Sequence, residues 1–279
     1  GEHSVVHGRP ALAMALDRGC TINLFERPGR SAIDDAPIRD QRLEQAVLPL
    51  LPPEGIGVEI ESNIPIGRGM GSSASMSIAL IQALAEIEGQ QLSFSALHER
   101  GFRLERVFHG TPSGIDHAVS ALGGMLCYQR TPDGAQMRQL HTRLPPVIVL
   151  DSGTSGNTAE QVEKVRAMGE AGAKICAEIG TLTESIIDKL AHGDPAQLGQ
   201  GMTHNHHLLS SLGVSNPRLD AMVELCIEAG AYGAKLAGAG GGGVVMAITD
   251  QPQSVLAAAA QAGYSAFQTS LHPVRMELP

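Results

Sequence analysis

Three glycines alternate with other residues in the segment 67–74, and two serines follow the last of them. Glycine lets a backbone approach a ligand closely, because it carries no side chain and adopts conformations that other residues avoid. Residues 57–62 alternate as in a strand, and the apolar residues of 74–87 recur at helical spacing. The segment therefore leads into the N-terminus of a helix, where unpaired N–H groups and the helix dipole attract anions. It predicts a binding site for a polyphosphate.

Two common phosphate-loop signatures do not describe this segment. No Gly-Lys-Ser/Thr follows the glycines, as a Walker A loop requires, and Ser72 occupies the last glycine position of GxGxxG. The alternative to a ligand site is a tight strand-to-helix turn in which Ser72 or Ser73 caps the helix.

A carboxylate lies in the first turn of another predicted helix, within the sequence GTPSGIDH of residues 110–117. The helix dipole lowers the pKa of an acid there, so we expect Asp116 to be ionised near neutral pH. Beside a γ-phosphate it could accept the proton of an attacking alcohol, although phosphoryl transfer depends more on positioning than on base strength. The alternative is an ordinary acidic residue on a solvated helix face.

Glu105 lies toward the end of the preceding predicted helix, and the turn at residues 110–112 could bring it to the same cavity as Asp116. Mg²⁺ bound to ATP takes one or two protein oxygens plus waters, which Glu105 and the Ser73 hydroxyl would supply. Arg103 and Arg106 flank the glutamate, so the alternative is a surface helix of mixed charge.

A further glycine run, KLAGAGGGG at residues 235–243, contains GxGxxG from Gly238 to Gly243. A dinucleotide site needs a strand before that motif and a helix after it. The patterns here predict a helix before the run and a strand over residues 244–249. We therefore interpret the run as backbone packed closely against another backbone or a ligand, and not as the site of a nicotinamide dehydrogenase.

His204, His206 and His207 could indicate a metal, since His204 and His207 share a helical face. No cysteine or well-spaced carboxylate completes a tetrahedral set, so we interpret all three as solvated helix histidines.

Composition limits the partners and the compartment. The net charge of −9 argues against nucleic acid, whose binders usually carry a clustered basic surface. No apolar segment approaches the ~18 residues of a membrane span, and cysteines are few, so we expect a cytoplasmic protein without a membrane partner. The sequence begins abruptly, and we expect further residues upstream of Gly1. The cysteines are predicted to be buried thiols: Cys20, Cys127, Cys176 and Cys226.

The remaining patterns predict the elements that position these residues. Predicted helices cover residues 73–89, 93–110, 112–123, 159–179, 184–191, 196–212, 217–229 and 252–262. Predicted strands cover residues 57–62, 125–130, 136–140, 147–150, 244–249, 266–271 and 274–278, and residues 131–134 form a hairpin turn. Helices and strands alternate without strict βαβ repetition, which favours an α+β fold, and we place a domain boundary near residue 145.

The three glycine-rich segments, in this order, resemble the signature motifs of the GHMP kinase superfamily, named for galactokinase, homoserine kinase, mevalonate kinase and phosphomevalonate kinase. Residues 1–8 (GEHSVVHG) are similar to the first motif in the mevalonate kinase branch, and residues 112–124 are similar to its catalytic segment. Residues 205–214 and 233–243 also resemble that branch, so the resemblance covers nearly the whole chain.

The resemblance implies a two-domain α+β fold. Residues 1–145 would form an N-terminal domain like domain 2 of ribosomal protein S5, and residues 146–279 a ferredoxin-like C-terminal domain. Asp116 occupies the position of the catalytic aspartate, Ser73 and Glu105 those of the Mg²⁺ ligands, and Glu2, His3 and Thr158 those of the substrate pocket. The implied nucleotide-binding residues are Gly67, Arg68, Gly69, Met70, Gly71, Ser72, Ser73, Gly238 and Gly240.

The implied activity is phosphorylation of the C5 hydroxyl of mevalonate by ATP, with Mg²⁺, in isoprenoid precursor synthesis. The partner is then this small-molecule substrate, and a homodimer is a candidate assembly. The alternatives are another small-molecule kinase or ATP-dependent decarboxylase of the superfamily, and a catalytically silent metabolite sensor. In two respects the chain departs from the family. The lysine that precedes the first motif would lie upstream of Gly1, and Ala237 replaces a threonine or serine.

Overall fold

The computed structural model describes residues 1–109, 113–132, 134–190 and 194–278. The chain divides into two compact units, each built from separate stretches of sequence. Unit 1 contains Gly1–Asp17, Ile66–Met70 and Gly124–Pro273, and unit 2 contains Arg18–Pro65, Gly71–Gly123 and the residues from Val274 onward. The predicted boundary at residue 145 lies inside unit 1, so a single cut there does not separate these units. The domain limits expected for the family stay a prediction.

The described residues form α-helices and strands in both units, together with short 3₁₀ helices at Ser4–His7 and Leu48–Leu50. The strands are β1 (Ala11–Met14), β2 (Cys20–Arg30), β3 (Ala32–Asp35), β4 (Glu54–Ser62), β5 (Met125–Thr131), β6 (Gly134–Leu140), β7 (Val147–Asp151), β8 (Gly233–Ala237), β9 (Val244–Ile248) and β10 (Ser265–Thr269). The helices are α1 (Gln41–Val47), α2 (Ser72–Ile87), α3 (Phe94–His109), α4 (Ile115–Leu122), α5 (Thr158–Ala167), α6 (Glu170–Leu190), α7 (Pro195–Ser211), α8 (Pro217–Glu228) and α9 (Pro252–Gln261).

Unit 2 consists of one sheet with helices packed beside it. Strand β4 lies between β2, to which it is antiparallel, and β3, to which it is parallel. Helix α2 packs against β2, α3 and α4. Gly101 allows the close approach of α3, because a Cβ at that position would lie 2.8 Å from Cδ1 of Ile78 on α2. This packing brings the N-termini of α2 and α4 near the middle of α3.

Unit 1 contains two antiparallel sheets, in the strand orders β1-β5-β6 and β10-β7-β9-β8. The second sheet has the strand–helix–strand–strand–helix–strand connectivity of a ferredoxin-like unit, with α5–α8 and α9 as its helical connections. Side chains of β7 alternate between two cores: Ile148 and Leu150 face one, and Val147 and Val149 face the other. Burial on both faces explains why this strand reads as a continuous apolar run.

Most predicted elements are present, and the mixed α+β class is confirmed. One prediction is wrong in the helical region, where residues 159–179 were expected to form one helix. The break lies instead at Gly169, with φ of 58°, and α6 then continues through Gly180 to Leu190. Gly180 does not end the helix, because it serves packing: a Cβ there would lie 2.9 Å from Cγ of Arg9.

The predicted strand over residues 274–278 is also absent. Only an isolated bridge joins Val274 to Gly123, and the N–H groups of Arg275 and Met276 both donate to the carbonyl of Leu122 at the end of α4. The cysteines are free thiols, but Cys20 and Cys127 are only partly buried, contrary to prediction. The predicted helix limits at Gly110, Pro112 and Ala191, and Asp133 of the hairpin turn, lie outside the described residues. Within the described ranges, no helix is both long and apolar enough to cross a membrane.

Candidate active site

The predicted phosphate loop, residues 67–74, contributes its first four residues to unit 1 and its last four to unit 2. In unit 2, helix α2 begins with Gly71 as its N-cap, at φ of 70°, and no side chain caps it. The alternative in which Ser72 or Ser73 acts as the cap is therefore wrong. Glycine at the cap leaves the first N–H groups of α2 open to a ligand, because these groups have no partner within a helix.

Ser73 directs its hydroxyl toward α3 and donates a hydrogen bond to Oε1 of Glu105, 2.7 Å away. Glu105 is only 2% exposed, so the alternative of a surface glutamate is wrong. Burial raises the pKa of this carboxyl group to about 7; the hydrogen bond from Ser73 opposes the shift, and the negative charge of Asp116 adds to it. A cation bound here would offset the cost of ionising the buried carboxyl.

Asp116 lies beside the start of α2. A Cβ on Gly71 would lie 3.7 Å from Cβ of Asp116, whose side chain is exposed in the first turn of α4. The adjoining His117 anchors that turn, since its buried ring packs against the tilted ring of His98 with the ring centroids 4.5 Å apart. His98 in turn makes a hydrogen bond with the backbone of Gly114, the N-cap of α4. Sequence reasoning missed both histidines, which act only through this packing.

The donor set fits Mg²⁺. Neighbouring oxygens around an octahedral Mg²⁺ lie about 3 Å apart, because each bond is about 2.1 Å long. The Ser73 and Glu105 oxygens are 2.7 Å apart, close to that spacing. No group of three or more His, Cys, Asp or Glu side chains suited to a metal occurs in the described part of the chain. These two residues would therefore hold the ion together with phosphate oxygens and water, as Mg²⁺ sites for nucleotides do.

In unit 1, the segment Ile66–Met70, which contains the first half of the loop, packs against the second glycine run. A Cβ on Gly238 would lie 3.3 Å from the carbonyl oxygen of Gly69, and one on Gly243 would lie 2.7 Å from that of Arg68. Gly240 is equally constrained, because its Cβ would lie 2.2 Å from the carbonyl oxygen of Val214. The close backbone packing predicted for this run is present.

Residues 238–243 of the run form the loop of the antiparallel hairpin β8-β9. The expectation of a helix before the run is wrong: strand β8 precedes it, and its short sequence GAKLA carried no clear periodicity. A strand also follows, whereas a dinucleotide fingerprint must open a helix. A dinucleotide site is therefore excluded only because no helix follows the run, since the strand that such a site needs before it is present.

Glu2 and His3 lie against β8 and the glycine run. Glu2 accepts a hydrogen bond from Lys235, whose ammonium group also donates to the carbonyl of Leu236, at 2.7 Å. Burial by itself raises the pKa of Glu2, but the charge of Lys235 holds it below its usual range. Nε2 of the buried His3 lies 2.8 Å from the carbonyl oxygen of Ala239, so this nitrogen must carry the proton and donate.

Lys235 was missed as a site residue, although it is the first residue of the run at 235–243. Thr158 is exposed at the first position of α5, and Asn157 caps that helix by accepting from the N–H groups of Ala159 and Glu160. The structure thus places Glu2 beside β8, His3 beside the glycine run, and Thr158 on a separate element.

The interpretation of His206 as a solvated residue is wrong. Its ring is 3% exposed. Nδ1 accepts from the N–H of Leu236 at 3.3 Å, and Nε2 donates to Oδ1 of Asp220 at 3.0 Å. Burial lowers the pKa of His206. The neutral ring therefore joins α7, α8 and β8, while His204 and His207 are exposed as predicted.

Comparison with known proteins agrees with this arrangement. The family model of the GHMP kinases N terminal domain matches residues 40–124, and that of the GHMP kinases C terminal domain matches residues 186–266. The chain belongs to the GHMP kinase family. Its α+β fold, with the two domains of that family, is confirmed.

Within this family, the chain is similar to mevalonate kinases. That of Thermococcus sibiricus is 35% identical over 298 residues, which cover 93% of this chain and 88% of the relative. The crystal structure of L. major mevalonate kinase in complex with R-mevalonate matches with a TM-score of 0.89 at 27% identity, covering 99% of this chain and 93% of that one. The mevalonate kinase of Methanococcus jannaschii matches with a TM-score of 0.84 at 26% identity, covering 97% and 94%.

Proposed function

We propose that this chain transfers the γ-phosphate of ATP to the C5 hydroxyl of mevalonate, giving 5-phosphomevalonate and ADP. The observation that carries the proposal is the contact between Ser73 and Glu105, with Asp116 beside the same helix N-terminus. It provides oxygens for a metal, N–H groups for phosphates and a carboxylate for a proton. The substrate is proposed from the similarity to proteins named mevalonate kinase and to one that contains R-mevalonate.

Each residue would have a distinct part in this reaction. The N–H groups at the start of α2, after Gly71, would bind phosphate oxygens, and the helix dipole would favour their negative charge. Asp116 would accept the proton of the C5 hydroxyl as its oxygen attacks the γ-phosphorus in line. Its exposed carboxylate is the one that a substrate can reach, whereas Glu105 is buried.

Ser73 and Glu105 would hold Mg²⁺. When bound, the ion neutralises charge on the phosphates and thereby favours attack by a neutral alcohol. The buried position of Glu105 suits this role, because a carboxyl group that resists ionisation in the free protein has most to gain from a neighbouring cation.

The substrate would be bound in unit 1 by Glu2, His3 and Thr158. Mevalonate carries one carboxylate and two hydroxyl groups, so its recognition needs both donors and acceptors. Glu2 offers carboxylate oxygens and Thr158 offers a hydroxyl group. The ion pair with Lys235 holds the Glu2 side chain in place. The remaining nucleotide contacts would come from Gly67, Arg68, Gly69, Met70, Ser72, Gly238 and Gly240.

The test is ADP release by the purified chain with ATP and Mg²⁺, measured in a coupled assay against a panel of mevalonate, 5-phosphomevalonate, galactose and homoserine. We expect release with mevalonate only, and ³¹P NMR should show a phosphomonoester at C5. Release with another acceptor would identify a different kinase of the family. ATP binding without ADP release from any acceptor would indicate a metabolite sensor instead. Homodimer formation and a cytoplasmic location stay predictions.

A further inference from the structure

The side chain of Arg68 projects from the phosphate loop onto the end of strand β7. Its Nε donates to Oδ2 of Asp151 at 3.1 Å, and its Nη1 donates to the hydroxyl of Ser155 at 3.0 Å. Both charged side chains are 21% exposed, so the ion pair is largely shielded from water. We call this set of contacts the clasp.

Asp151 is a firm point of attachment. It ends β7, whose residues Val147 to Leu150 are completely buried, and it pairs in register with Val244 of β9. Its second oxygen, Oδ1, accepts from the N–H of Gly153 at 2.8 Å. Both oxygens of the carboxylate are therefore engaged, and neither can turn away without losing a hydrogen bond.

An arginine in a phosphate loop would ordinarily be interpreted as a phosphate ligand. Here we infer that Arg68 is a positioning residue: its side chain clasps the segment Ile66–Met70 to β7 and does not contribute its charge to the nucleotide. The inference rests on the proposed function, since it concerns the loop that would bind ATP. It changes only the role of the side chain, and the backbone of Arg68 remains a candidate phosphate contact.

The electrostatic argument concerns the charge that a phosphate would meet. A carboxylate within 3.1 Å of the guanidinium cancels most of its field a few ångströms away. Breaking the clasp to reach a phosphate would also leave Asp151, a partly buried carboxylate, without its counter-charge. Both effects favour a neutral clasp over a free cationic ligand.

The clasp also lowers the conformational entropy that the loop must lose when a nucleotide binds. The loop is packed backbone to backbone on Gly238 and Gly243, and its Met70 side chain packs against a hydrophobic core of unit 1. A loop of alternating glycines is costly to order, because each glycine loses much conformational freedom. The two side-chain hydrogen bonds of Arg68 hold the loop in place before the nucleotide arrives, so less of that cost falls on binding.

The closing experiment is a double-mutant cycle with Arg68→Gln, Asp151→Asn and both together. The dissociation constant of ADP with Mg²⁺ is measured by calorimetry. We expect each single change to weaken ADP binding about fivefold, and the double change to weaken it no further, because either one opens the clasp. KM for ATP should rise by the same factor, with kcat within about twofold of wild type.

The matched control is Arg166→Gln. This arginine lies in the same unit, is 81% exposed and pairs with Glu163 on the surface of α5. We expect it to leave both constants unchanged. If Asp151→Asn left ADP binding unchanged or tightened it while Arg68→Gln weakened it, Arg68 would be a phosphate ligand and the inference would be wrong. Additive losses in the double variant would overturn it as well.

A second readout separates the clasp from the proposed function. The same variants are compared by their urea unfolding midpoints without ligand, where the clasp predicts that the double change lowers the midpoint no more than the larger single change. If the wild-type chain bound ADP but phosphorylated no mevalonate, the proposed substrate would be wrong. The mutant cycles for ADP binding and for urea unfolding would still test the clasp. If the wild-type chain bound no nucleotide, the unfolding cycle would decide, and additive shifts would overturn the clasp.

Discussion

Oγ of Ser73 and Oε1 of Glu105 lie 2.7 Å apart, although their residues are 32 positions apart in the chain. The contact joins the first turn of α2 to the buried face of α3. It explains why Glu105 is only 2% exposed, although Arg103 and Arg106 on the same helix are charged. Such a placement is costly without a cation or a proton, and it leads to the first two predictions.

Replacing Glu105 with glutamine should lower kcat/KM for ATP with Mg²⁺ by about a hundredfold or more, since one of the two protein oxygens proposed for the metal loses its charge. The Mg²⁺ concentration for half-maximal activity should rise in the same variant. Steady-state rates in a Mg²⁺ titration measure both effects. Glu99→Gln is the control, because Glu99 is 65% exposed on the same helix. Equal activity of the two variants would remove Glu105 from the metal site.

Without divalent cations, Glu105 should make stability depend on pH. Burial raises its pKa from the ordinary 4.5 to about 7. As pH rises, the unfolded chain therefore releases this proton first. Protonated Glu105 therefore contributes fully to the free energy of unfolding below about pH 4.5. This contribution, at most about 3 kcal/mol, is lost as the pH rises to about 7.

Glu105→Gln should abolish this dependence. Urea unfolding in the presence of a chelator measures the free energy of unfolding of both proteins. The value for the variant minus the value for wild type should increase from pH 5 to pH 8. A constant difference between the two proteins at both pH values would mean that Glu105 ionises normally.

Asp116→Asn should retain nucleotide binding and lose turnover. The amide preserves the shape of the side chain beside Gly71 but cannot accept the substrate proton, so kcat should fall by about 10²- to 10⁴-fold. The dissociation constant of ADP should stay within about threefold of wild type, as measured by calorimetry. Asp188→Asn, at an exposed position of α6, is the control and should be fully active. Near-full activity of Asp116→Asn would rule out its assignment as the base.

Gly240→Ala should destabilise the chain by about 3 kcal/mol or more, because a side chain there is strained by its backbone conformation and also clashes. Its φ is 87°, and the new Cβ would lie 2.2 Å from the carbonyl oxygen of Val214. Gly263→Ala is the matched control in the same unit, with φ of 76° and no heavy atom within 4 Å of the new Cβ. It should cost only about 1 kcal/mol. Urea unfolding measures the difference, and equal losses would show that close packing of the run does not matter.

Local patterns predicted the elements around the loop well. Helix α2 begins at Ser72, one residue from the predicted start, and the hairpin β5-β6 has the expected partners. Ser93 caps α3 through its hydroxyl, as its position suggested. These features depend on residues within a few positions of one another, so they can be predicted without knowing the rest of the chain.

Prediction failed where a distant residue decides the local outcome. The predicted helix over residues 159–179 stops before Gly180, but α6 runs through this glycine, against which Arg9 packs. The patterns predict no strand over residues 233–237, yet β8 lies there, pairs with β9, and donates a hydrogen bond from the N–H of Leu236 to Nδ1 of His206. Arg9 and His206 are distant in sequence from the residues that they contact, so periodicity could not reveal these contacts.

By itself, the sequence determined which groups are available for chemistry: alternating glycines before a helix, a serine in its first turn, and acidic residues on the next two helices. Those properties follow from residue types and short spacings. Only the tertiary structure decided that Glu105 is buried against Ser73, that Asp116 stays exposed beside Gly71, and that Arg68 is bound to Asp151. Burial and charge pairing depend on which distant segments pack together, and they set which of these groups ionises, binds or only holds its neighbours in place.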